Sequence, residues 1–177
     1  MAIIAAHEQG QPSLRLSVAQ QGRVWDGWFT SEVRAHYFAD LAGMYRRYQT
    51  IITWATLMFS SSAVLTVLAK LPERLSWITA VLALATSALS FASVVLQLEK
   101  KATGSTELYF RWNELANEYR DLWENMYVDD AQERLARLDE QAIELGRLGT
   151  LFPVINRRME KWYAVVDHNL MRDHATV

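Results

Sequence analysis

Hydrophobic positions along the chain fall into two unlike regimes. Between Thr50 and Leu98 they run almost unbroken, whereas on either side they recur at steps of three and four. Thr50 to Ala69 is twenty residues without an ionisable side chain, and Leu75 to Leu98 is twenty-four more. At about 1.5 Å per helical residue, twenty residues reach roughly 30 Å, the thickness of a bilayer's hydrocarbon core. Only Lys70, Leu71, Pro72, Glu73 and Arg74 separate the two stretches. A connection this short, with a proline where a helix must stop, predicts an antiparallel hairpin of two membrane spans, 50–69 and 75–98. Burying both helices in a soluble core would need apolar cover on every side, and the remaining residues are too polar to supply it.

Outside the hairpin the pattern is that of amphipathic helices. Val33, Tyr37, Leu41, Met44, Tyr48 and Ile51 form one stripe, with Thr30 or Ser31 as its cap. This predicts a single helix from about Ser31 through the first span. Beyond Glu99, Lys100 and Lys101, a second stripe follows: Leu108, Trp112, Leu115, Tyr119, Leu122 and Met126. It reads as a coiled-coil-like seam whose natural partner is the first stripe. Tyr127 to Asp130 forms a turn, and Asp130 with Glu133 has the form of a capping box. Leu135, Leu138, Ala142, Leu145 and Leu148 or Gly149 continue at heptad spacing, and Gly149 to Pro153 ends that helix. A last helix is expected from about Val154, with Ile155, Met159, Trp162, Val165 or Val166, and Asn169 on one side.

Residues 1–29 carry Gln, Gly and Pro at irregular intervals and read as a loosely ordered arm. Leu14, Leu16 and Val18 alternate with polar residues in the manner of a short strand, and Trp25, Trp28 and Phe29 form an aromatic knot. The expected organisation is thus this arm, long helices over 30–127 that include the spans, amphipathic helices over 128–172 packed on them, and a tail over 173–177. The fold class is an all-α membrane protein: a two-helix transmembrane hairpin extending into a small cytoplasmic helical bundle.

Charge orients the hairpin. Arg34, Arg46 and Arg47 precede it, and Lys100, Lys101 and Arg111 follow it, against Lys70 and Arg74 in the turn. Basic residues favour the cytoplasmic side, so both termini are expected there and the turn outside. Trp54 and Trp77 are suited to anchor at the interfaces. Mean hydropathy near zero hides this, because it averages an apolar hairpin with charged flanks. A net charge of −2 gives no pull toward nucleic acid, and the absence of cysteine removes disulfide and thiolate chemistry. Met1-Ala-Ile-Ile-Ala-Ala lacks the basic leader of a secretory signal, so both spans are expected to stay in the mature chain.

Candidate chemistry is sparse. His36 lies one turn from Asp40 as a surface pair, and His168 beside Asp167 is poorly placed for a shared metal. Gly146 and Gly149 lack the flanking pattern of a phosphate loop. No catalytic, cofactor-binding or metal-binding residue emerges, and no cofactor is implied. Arg147, Arg157, Arg158 and Lys161 are weak candidates for contact with an anionic ligand or lipid, against the plainer reading of a solvated face. The one unusual feature is a stripe in the second span. Ser76, Thr79, Ala83, Thr86, Ser90, Ser93 and Gln97 recur at steps of three and four. Either these small residues are a seam along which helices pack, or they line a wet path when several chains assemble.

The order of these features resembles the SLATT family, the two-transmembrane effector domains of bacterial conflict systems. An aromatic and basic helix enters the first span (Tyr37, Tyr45, Arg46, Arg47, Tyr48), and a small-residue-rich second span follows a short turn. A basic exit then leads to the aromatic, acidic stretch from Phe110 to Trp123. The resemblance covers roughly Val33 to Val166. It implies a non-enzymatic, homo-oligomeric effector that forms a pore or disrupts the inner membrane when triggered, in antiphage defence by abortive infection. It also implies a partner that makes or senses a nucleotide second messenger. The alternative is a membrane-anchored scaffold whose cytoplasmic bundle binds a soluble sensor or signalling partner.

Overall fold

The structure, a computed structural model, describes residues 16–60 and 97–175, together with positions 77, 81, 84, 85, 87, 88 and 91. The described chain contains four helices: α1 (Val18–Ser60), α2 (Leu98–Glu124), α3 (Ala131–Gly149) and α4 (Asn156–Ala175). There is no strand among the described residues. The fold is all-α, as the periodicities require.

The loosely ordered arm expected over 1–29 is too long, because α1 already begins at Val18. Ser17 is the reason. Its hydroxyl accepts from the backbone N–H of Gln20 (3.3 Å), while its own N–H donates to Gln20 Oε1 (2.8 Å). This reciprocal pair is a capping box, satisfying two donors that a helix start would otherwise leave open. Ser31, expected as a cap, is instead buried within α1. At Asp130 the expectation reverses. The residue does precede α3, but its side chain makes no cap bond, since its backbone (φ −95°, ψ 6°) lies outside the extended region a capping side chain needs. The turn before it spans 125–130, held by Val128 N–H to Asn125 O and Ala131 N–H to Val128 O.

The described helices sort into two compact units. One takes in the chain up to Tyr37 and from Leu108 onward; the other is Phe38–Glu107. In the first, α1 and α2 pair antiparallel. Trp25 meets Trp123 (centroids 5.5 Å apart), Gly27 meets Tyr119, and the Arg34 guanidinium lies 4.7 Å from the centre of the Trp112 ring. The seam expected on α2 is this unit's main apolar face, with Leu108, Trp112, Leu115, Tyr119 and Leu122 all buried. Side chains of this size each contribute roughly 1.5–3 kcal/mol when fully buried. From α3, Ala131, Leu135, Leu138 and Leu145 are buried. The α4 stripe ends on Leu170 rather than Asn169: Val166 and Leu170 cluster with Val33, and Trp25, Trp28, Phe29, Met159 and Trp162 pack around them. The aromatic knot is therefore core. In the second unit Phe38, Leu41, Ala42, Tyr45, Leu98, Ala102 and Ser105 are buried. Arg46 Nη2 donates to Thr106 Oγ1 (3.1 Å), linking α1 to α2 there.

The expected membrane hairpin falls largely outside the described residues. Among the described residues no helix is long and apolar enough to cross a membrane. Of the 50–69 stretch the structure describes 50–60, and of 75–98 it describes positions 77, 81, 84, 85, 87, 88, 91, 97 and 98.

Candidate functional site

Among its described residues the second unit presents an exposed apolar surface. On α1, Tyr48, Ile51, Trp54, Leu57 and Met58 recur at steps of three or four or sit side by side, and each is 52–67% exposed. Helical positions Trp77, Val81, Leu84 and Phe91 are 54–72% exposed and, with exposed Ala88, follow steps of four and three. Large apolar side chains gathered in this way mark a surface that something else covers. Thr50 and Thr56 turn their hydroxyls back onto the carbonyls of Arg46 (2.9 Å) and Ile52 (2.8 Å). Those two polar groups on α1 are thus satisfied within their own helix.

The small-residue stripe is placed at one position only. Ser76, Thr79, Ala83, Thr86, Ser90 and Ser93 lie outside the described residues, and Gln97 is an exposed turn residue. Gln97 has a φ of 45°, in the left-handed region that non-glycine residues seldom enter, and its carbonyl accepts from Lys101 N–H (3.0 Å). The helix expected to run on from the second span therefore starts afresh at Leu98.

The first unit holds a polar cluster among its helices. Tyr119 donates from its hydroxyl to Asp139 Oδ1 (2.8 Å), and Arg23 pairs with the other oxygen of the same carboxylate. Burial, aided by the hydrogen bond and charge of Asp139, raises the Tyr119 hydroxyl well above its ordinary value, and the Arg23 charge opposes that rise. Arg134 hydrogen-bonds Asp121 and holds its carboxyl below the ordinary range, assisted by Asn125. His36 stacks on Trp162 (4.9 Å, 11° between planes), with Nε2 4.0 Å from Glu32 Oε1. Among the described residues no three His, Cys, Asp or Glu side chains converge to hold a metal ion. An open depression along α2 (≈ 620 Å³) is lined by Phe110, Asn113, Glu114, Asn117, Glu118 and Asp121, all from one helix.

The weak anion candidates lie on two helices. Arg147 lies exposed in the last turn of α3, where its carbonyl takes the Thr150 hydroxyl (2.7 Å). Arg157 is exposed and Arg158 half-buried at the start of α4, while Lys161 Nζ sits 4.7 Å from the Trp162 ring centre. The Arg23–Asp139–Tyr119 cluster escaped the sequence reading. Its signal was a tyrosine on an apolar seam, a position whose hydroxyl must find a partner when buried. No family model matches the sequence, and neither a curated protein nor a solved structure matches it.

Proposed function

We propose that the chain is a non-enzymatic, homo-oligomeric effector of the bacterial inner membrane. When triggered it forms a pore or disrupts the bilayer, in antiphage defence by abortive infection, with both termini cytoplasmic. The observation that carries this reading is the pair of exposed apolar rows, Ile51 to Met58 and Trp77 to Phe91, each inside a charge-free stretch of membrane-spanning length. The resemblance to SLATT-family effectors adds the trigger and the partner: a synthase or sensor of a nucleotide second messenger.

The two residue sets of the second stretch support a division of labour. Trp77, Val81, Leu84, Ala88 and Phe91 share no position with the Ser76–Ser93 part of the stripe, and a helix of 3.6 residues per turn through both sets would carry them on opposite sides, with Gln97 standing apart as a turn residue. One side then suits lipid and the other suits protein or water. Two spans cannot enclose a channel alone, so assembly of several chains is required. The closed arrangement must be favoured until a signal shifts the population.

A second reading, a membrane-anchored scaffold, is favoured by the first unit having its own buried cluster around Val33, Val166 and Leu170. Inducible expression with a membrane-potential dye, alone and together with the neighbouring genes, separates the two. Depolarisation only on triggering supports the effector. An unchanged potential, with a partner retained at the membrane, supports the scaffold.

A further inference from the structure

We infer that Arg46, Arg47, Lys100 and Lys101 form a basic collar that binds the phosphate headgroups of anionic phospholipids beside the apolar row; the inference rests on the membrane reading above. All four side chains are exposed and all belong to the second unit. Arg46 is held at the α1–α2 contact by its bond to Thr106 Oγ1 (3.1 Å), and that hydroxyl is itself anchored on Ala102 O (2.8 Å). From that contact Ile51 is five residues along α1 and Lys101 five residues along α2, about 7.5 Å of helix axis in each case. The cations therefore stand within two turns of where the exposed apolar residues begin.

Arg47, Lys100 and Lys101 make no ion pair among the described residues. In these turns four cations face one carboxylate, Glu99, whose place in the first turn of α2 suits the positive end of that helix. Asp40 and Glu107, further along, are already engaged within the protein. Exposed cations left unneutralised at the rim of an apolar surface complement the negative surface of an anionic leaflet. A guanidinium adds a two-pronged fit to phosphate oxygens, and Tyr48 and Trp54, both exposed, are residue types that settle at headgroup depth.

The test offers the full-length chain, diluted from detergent, to vesicles of phosphatidylcholine alone and of phosphatidylcholine with an equal part of phosphatidylglycerol. Association is followed against salt, and carbonate extraction separates inserted from adsorbed protein. The expected result is preference for the anionic vesicles that shrinks as salt rises and falls about fivefold for each cation removed. Arg47→Gln/Lys100→Gln/Lys101→Gln keeps the Arg46–Thr106 bond, so circular dichroism of this variant checks that the fold survives. Its reciprocal, Glu99→Gln, is expected to strengthen the preference. Carbonate-resistant insertion that ignores lipid charge and the triple variant overturns the collar but leaves the membrane reading standing. Charge-selective binding that carbonate strips away upholds the collar and removes the spanning helices. Association with neither vesicle overturns both.

Discussion

The phenol ring of Tyr119 lies so close to Gly27 that a Cβ at that position would stand 2.5 Å from Cε1 and 2.6 Å from Cζ. Glycine is thus required on α1 for its approach to α2 at this level. The ring has little room to yield, because it is 1% exposed and its hydroxyl is fastened to Asp139. Gly27→Ala is expected to destabilise the bundle by about 1–3 kcal/mol, the usual range for overpacking a filled site. Thermal melting followed by circular dichroism measures it. The control is Gly22→Ala, where an added Cβ meets nothing within 4 Å.

The same tyrosine makes the bundle sensitive to alkali. Its folded-state ionisation is raised above the ordinary value of 10.0, chiefly by burial and then by Asp139. The stabilisation this represents is complete below the unfolded value and is lost as pH rises through the folded one. Melting temperature is expected to fall above pH 10, with a smaller fall in Tyr119→Phe. Near neutral pH the variant gives up one hydrogen bond to a charged acceptor, about 1.5–3 kcal/mol. An identical alkaline decline in both proteins would assign the pH dependence to other groups.

Much of the fold was readable from spacing alone. The α2 seam from Leu108 to Leu122 is buried throughout, because steps of three and four place one helix face against its neighbours whatever those neighbours are. Details that depend on backbone geometry were not readable. Ser17-Val-Ala-Gln20 and Asp130-Ala-Gln-Glu133 both have the outline of a capping box, yet only the first forms, since only the dihedral angle at the cap decides it. The helix start at Val18 was hidden because Gln20, Gln21 and Gly22 break the apolar pattern there, although Trp25 and Phe29 lead at steps of four into Val33 and Tyr37. The candidate stripe is a harder case, because Gln97 alone of its seven members is described.

Tyr37 holds the connection between α3 and α4. Its hydroxyl donates to Pro153 O (2.6 Å) and accepts from the backbone N–H of Ile155 (3.2 Å), in the residues just before α4. Proline brings no N–H of its own, and one buried side chain on α1 satisfies both its carbonyl and the N–H two residues on. Tyr37→Phe is expected to cost about 1 kcal/mol or somewhat more. The specific sign is faster hydrogen exchange at Ile155 with α2 unchanged. Uniform acceleration over every helix would point instead to general loosening.

Thr86 and Ser90 decide between a wet and a dry stripe. Both belong to the small-residue stripe of the sequence, and neither carries charge, so replacing them with leucine raises hydropathy and favours insertion. If the stripe lines a path, Thr86→Leu/Ser90→Leu inserts normally but loses leakage from liposomes and toxicity in cells, because apolar side chains at a narrow constriction expel water. If it is a packing seam, larger side chains keep the helices apart and the oligomer weakens first. Crosslinking read beside leakage distinguishes these: leakage lost with the oligomer intact assigns a path, and both lost together assign a seam. Leakage that persists with the oligomer intact would remove the stripe from the mechanism altogether.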